Sequence, residues 1–97
     1  MEFGVVYTAR ETVSEEAEKR SLQLFTTWQP PFEFKAHWAR ARGDGGIAIV
    51  ETDSAAALLE GLAPWQPFFK FDISPVVGVE EAVPIFMKVN AWRDSVA

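Results

Sequence analysis

Apolar residues recur along this chain in two rhythms. Residues 3–9 (FGVVYTA) are dense in β-branched and aromatic side chains, the composition of a strand covered on both faces. Thr12-Val13-Ser14-Glu15 then has a capping-box pattern. From Val13 onward Ala17, Leu24, Phe25 and Trp28 return at helical spacing, with Glu15/Lys19 and Glu16/Arg20 as i,i+4 pairs on the polar side. Pro30-Pro31 closes that helix. Residues 32–39 alternate, with Phe32, Phe34, Ala36 and Trp38 on one face and Glu33, Lys35, His37 and Ala39 on the other. A half-buried strand is predicted, with His37 on its polar side.

Gly43-Asp44-Gly45-Gly46 marks a hairpin turn, after which residues 47–52 (IAIVET) resume strand chemistry. Asp53 is placed to cap a second helix through Ala55, Leu58, Leu59 and Leu62, with Gly61 and Pro64 at its end. Residues 68–77 (FFKFDISPVV) read as a fourth strand, which Pro75 assigns to a sheet edge because proline cannot donate to a neighbour. A last helix is predicted over residues 80–92, with Pro84 tolerated only in a first turn.

Strand, helix, hairpin, helix, strand is the order of the ferredoxin-like βαββαβ sandwich, here an α+β fold with an additional C-terminal helix. Its sheet runs 4-1-3-2, with strands 1 and 3 central and two long helices on one face. Those central strands are apolar on both faces: Phe3 and Val5 oppose Val6, and Ile47 and Ile49 oppose Ala48 and Val50. Two helices cover one face only. The other face would leave an apolar patch larger than monomers usually expose, so a homodimer is expected.

Composition narrows the classes. Ninety-seven residues, 48% hydrophobic and 24% charged, fit a single folded domain over residues 1–97, with no repeat or linker. Without cysteine there is neither a disulfide framework nor a thiolate metal site, and the cytoplasm is the expected compartment. Met1-Glu2-Phe3-Gly4 lacks a basic-then-apolar leader, and no long apolar run suggests a membrane span. A formal charge of −5 weighs against nucleic acid or anionic lipid as partners.

No motif implies a cofactor or a metal. His37, the only histidine, is the one side chain whose ordinary pKa lies near neutrality, so it and Asp72 are the candidate bases, with Tyr7 as a hydrogen-bond donor. Glu33, Lys35 and His37 on strand 2, with Lys70, Asp72 and Ser74 on strand 4, could form a polar rim around a greasy floor. On that reading Lys35, His37, Trp38, Lys70 and Asp72 are the candidate ligand-binding residues. The simpler alternative is that these charges blunt exposed strand edges, and that Tyr7 and the tryptophans fill a core. Gly43-Asp44-Gly45-Gly46 lacks the ending of a phosphate loop and opens a strand.

Three stretches carry a family resemblance: FGVVYT, AHWARARGDGGIAIVETDSAAALLEGLAPW and FFKFDISPVVGVEEA. Together they resemble a family of domains of unknown function within the dimeric α+β barrel superfamily. The resemblance implies a ferredoxin-like dimer. Wider members look like antibiotic-biosynthesis monooxygenases, muconolactone isomerases and haem-degrading enzymes, which bind a flat or apolar molecule between sheet and helices. Three functions follow as expectations: a homodimer binding a small apolar or aromatic molecule, a cofactor-free enzyme of monooxygenase or isomerase type, or a structural interaction module.

Overall fold

The computed structural model describes residues 1–96. Its elements run β1 (Glu2–Ala9), α1 (Glu15–Thr27), β2 (Glu33–Ala39), β3 (Gly45–Glu51), α2 (Ala55–Leu62), a 3-10 turn (Ala63–Trp65), β4 (Phe69–Pro75) and α3 (Val79–Ser95). Every strand pairing is antiparallel and the sheet order is β2-β3-β1-β4, so the fold is α+β and consistent with the ferredoxin-like arrangement expected.

Both inner helices start one or two residues later than their sequence signals suggest. Val13 N–H donates to the Arg10 carbonyl in a turn, which leaves Ser14, not Thr12, to cap α1: its Oγ accepts from Ala17 N–H at 3.1 Å. Ser54 caps α2 in the same way through Ala57 N–H at 3.1 Å, while Asp53 lies 2.9 Å from the Met1 ammonium. Gly61 is not a terminator. It lies within α2 and is buried where the Phe32 ring occupies the space a Cβ would need.

Val5, Ala48, Val50, Leu58 and Leu62 form the buried core, with Phe3, Phe32, Phe34 and Phe71 packed against it. All the sheet residues in that set lie on the helix side. The open side carries a row of directly opposed residues, Trp38–Ile47–Val6–Asp72, and beside it Ala36–Ile49–Gly4–Ser74. Trp38 is 59% exposed there.

The alternation expected for β2 does not run through. Phe34 pairs with Val50 but Ala36 pairs with Ile49, so one extra residue, Lys35, is inserted at a bulge. A bulge reverses which face each later side chain takes. Phe34 stays on the helix side, but His37 and Ala39 join it there, while Ala36 and Trp38 go to the open side. Lys35 itself stays in solvent between Glu33 (3.5 Å) and Glu51 (3.0 Å).

Pro84 also departs from expectation. With α3 beginning at Val79 it lies in the second turn, where it removes the donor that the Glu80 carbonyl would otherwise take. No residue of α3 is buried. The molecule measures 60 × 26 × 20 Å with a radius of gyration of 17.6 Å, well above the ~13 Å of a compact chain this long. The helix projects from the body. Among the described residues no helix is long and apolar enough to cross a membrane.

Candidate functional site

Three small residues on the helix side of the sheet make room for a site. Ala39 on β2 and Ala48 on β3 leave a shallow floor that larger side chains would fill, and Gly46 on β3 leaves room for the Tyr7 ring. Tyr7 on β1 is paired with Gly46, and its ring lies across that glycine, because a Cβ there would collide with the phenol. Lying flat, the ring reaches past β3 to β2. Its Oη comes within 2.7 Å of Nε2 of His37, the residue that the bulge turned to this side. His37 stacks on Phe34 with ring centroids 4.9 Å apart and planes 6° from parallel, while Phe69 meets the Tyr7 ring edge-on at 5.1 Å.

Arg40 fixes the strand end that presents Tyr7. Its guanidinium donates to the Tyr7 carbonyl at 3.2 Å and to Thr8 Oγ1, and Asp44 holds Arg40 Nε at 3.1 Å. The hairpin loop that carries Asp44 needs glycine at Gly43 (φ 81°) and Gly45 (φ 150°), where other residues are strained. The Gly43-Asp44-Gly45-Gly46 run therefore does more than turn the chain: it positions Asp44 and leaves the space beneath Tyr7.

Above this floor α1 is held off the sheet. Ser21, Leu22, Phe25 and Trp28 line the α1 side of a solvent-open cleft of about 360 Å³, with Leu22 and Phe25 still 64% and 51% exposed, and Trp65 closes its inner end. The volume falls in the range of small-molecule sites, which are apolar with few polar groups. Here the walls are Phe25, Trp28, Phe34, Trp65, Phe69 and Phe71, and the polar groups at hand are Tyr7 Oη and the His37 imidazole. Ser21 Oγ is already engaged, donating to the Glu18 carbonyl at 2.7 Å. Trp65 is buried with its indole N–H lacking an acceptor, which costs about 1–3 kcal/mol.

Electrostatics follow from the walls. Water reaches His37 through the cleft mouth, yet the surrounding rings withhold enough of it that desolvation lowers the imidazole pKa below its usual 6.5. Desolvation also raises the Tyr7 phenol above 10.0, partly offset by the Arg40 charge. Both groups are neutral at pH 7. Either Tyr7 O–H donates to a bare Nε2, or Nε2–H donates to the phenol oxygen. The pair thus offers a proton donor and a proton acceptor side by side.

The unfolded chain protonates His37 near 6.5 whereas the folded chain resists, so this residue's contribution to stability is complete above 6.5. It is lost as the pH falls from there through the lower folded-state value. Chemical denaturation at about pH 5 and pH 7.5 is expected to give a larger acid-side loss for the wild type than for His37→Gln. Parallel curves for the two proteins would contradict it.

Of the residues singled out by sequence, Tyr7 and His37 come together in the cleft and the others do not. Lys35 is the exposed bulge residue, and Trp38 and Asp72 lie on the open face. Lys70, on edge strand β4, lines a separate groove of about 380 Å³ with Arg10 and Leu59. The six-residue polar rim therefore does not form, because the bulge removes His37 from that surface. Residues 34, 69 and 71 were legible as strand aromatics, but only the small set Ala39, Gly46 and Ala48 hints that they surround a space. Among the described residues no cluster of three or more histidine or carboxylate side chains could hold a metal ion.

A family model described as a domain of unknown function (DUF3303) matches residues 1–90. No curated protein matches the chain.

Proposed function

The chain belongs to the DUF3303 family, a domain of unknown function, and from that premise we propose that it binds a small, flat, apolar or aromatic molecule in the cleft between the sheet and α1. The observation that supports this reading most is the Tyr7–His37 pair, 2.7 Å apart in a cleft otherwise lined by aromatic and aliphatic side chains and Ser21. Such walls take a planar ring by offset or edge-on contact, and the pair engages one hydroxyl, carbonyl or carboxyl on it. We further propose that the protein is a homodimer in the dimeric α+β barrel manner. In it two copies meet over the open face, where Trp38, Ile47 and Val6 form a continuous apolar row. A cysteine-free chain suits the reducing cytoplasm, where we place it.

A second reading is a cofactor-free enzyme of isomerase or monooxygenase type. The same pair favours it, since His37 can take a proton from a bound carbon or oxygen acid while the Tyr7 hydroxyl stabilises the resulting oxyanion. Asp72 has no part in it, because it lies on the opposite side of the sheet.

Thermal-shift screening against phenols, naphthols, aromatic acids, quinones and acyl compounds tests the binding reading. A true ligand at a hundred times its dissociation constant stabilises the fold by about 2.7 kcal/mol. Tyr7→Phe is expected to weaken that ligand by up to about tenfold, the worth of one hydrogen bond, with quenching of Trp28 and Trp65 fluorescence as the second readout. No shift across the panel would count against both readings and leave a structural module. A shift indifferent to Tyr7→Phe and to Trp28→Ala would place the ligand elsewhere.

A further inference from the structure

We infer that α3 is an arm that docks on a second copy of this chain, each copy of a pair gripping the other. The first observation is its isolation: all seventeen residues from Val79 to Ser95 escape burial, and Phe86 and Trp92 are 64% and 65% exposed. A strand of seven residues spans about 24 Å and a helix of seventeen about 26 Å. A molecule 60 Å long and 26 Å wide therefore needs the two laid nearly end to end, with the helix leading away from its own sheet. The backbone sets that course. Val76 N–H still donates to the Glu2 carbonyl at 3.0 Å, prolonging the β4–β1 pairing past Pro75, and Gly78 already accepts the first N–H groups of α3, leaving Val77 as the only joint.

The second observation is the breadth of its apolar surface. Over residues 79–89, Val79, Ala82, Val83, Ile85, Phe86, Met87 and Val89 sweep one arc of about 200°, and Glu80, Glu81, Pro84 and Lys88 share the remainder; in the last turns Asn90, Arg93 and Asp94 enter that arc and Trp92 stands at its edge. A helix resting on a single surface needs a stripe of about 100°. An arc twice that width belongs to a helix held between two bodies, such as the junction of two chains.

The third is the match in area and in need. Phe86 and Trp92 hide roughly 300–500 Å² per chain when buried. Two arms with the surfaces they cover reach about the 1,200–2,000 Å² of a stable association. A twofold pair that joins the two open sheet faces also gives each unpartnered helix a second body to rest on. The arm rests on the same pairing of copies proposed above but uses different contacts, so the two can fail separately.

The test uses the full chain and the double variant Phe86→Glu/Trp92→Glu, whose side chains are exposed in their own protomer and so leave the body folded. Sedimentation over a concentration series and hydrogen exchange of the α3 amides are measured on both. The wild type is expected to be a dimer in which α3 exchanges slowly, with that protection disappearing on dilution to monomer. The variant is expected to raise the dissociation constant at least a hundredfold while the sheet keeps its melting temperature. Fast α3 exchange in a stable dimer, or a variant that pairs as the wild type does, overturns the arm and leaves the sheet-face pairing standing. Protection that persists in the monomer shows α3 docked on its own body and also overturns it. A chain that is monomeric throughout overturns arm and face together.

Discussion

Gly46→Ala is expected to lower the melting temperature by roughly 12–24 °C and to abolish ligand binding, although it adds one methyl group to a strand. The methyl has nowhere to go. It would lie inside the Tyr7 hydroxyl on one side and 2.5 Å from the Trp38 carbonyl oxygen on the other. The first neighbour can swing away only by giving up its hydrogen bond to His37. The second is backbone, and moving it separates β2 from β3. Overpacking of this kind costs about 3 kcal/mol. Differential scanning of the variant checks the stability, and titration with a ligand found for the wild type checks the site. A variant that melts with the wild type and still binds would mean that Tyr7 does not lie across Gly46.

Ile47→Glu is expected to split the proposed dimer while leaving the protomer folded. Ile47 is 40% exposed on one protomer, at the centre of the open face between Trp38 and Val6. A carboxylate there stays hydrated in the monomer, at a cost within about 0.5 kcal/mol. In the proposed pair, where the two open faces meet, the same carboxylate would be taken out of water. An uncompensated buried charge costs about 3–5 kcal/mol, which raises the dissociation constant by a factor of about a thousand. Sedimentation of the variant alongside the wild type decides it. Equal dissociation constants would show that the open face is not where the copies meet.

Much of the fold follows from local pattern. β1 and β3 declared themselves central by being apolar on both sides, and Pro75 correctly assigned β4 to an edge. The site was harder to read because it depends on one inserted residue. Strict alternation through residues 32–39 places His37 beside Lys35 in water, and only the register change at Lys35 turns it toward Tyr7. A bulge leaves no periodic trace in a single strand; it becomes visible when Val50 and Ile49 are matched against their partners across the sheet. Gly46 misleads in a related way. In a run of glycines it looks like part of a turn, whereas its missing side chain matters through a contact with residue 7, distant in sequence. The caps moved from Thr12 to Ser14 and from Asp53 to Ser54 for a local reason, since several consecutive residues could each have served and backbone turns selected among them.

Because the chain has a single histidine, its imidazole proton gives one unambiguous signal to follow by NMR against pH, with and without a bound aromatic ligand. With His37 held in the ring-walled cleft, it is expected to titrate below 6.5 in the free protein. The signal should also move on adding ligand and shift its titration when Tyr7 becomes phenylalanine. An imidazole titrating at 6.5 or above, and unmoved by either change, would contradict the cleft as the binding site.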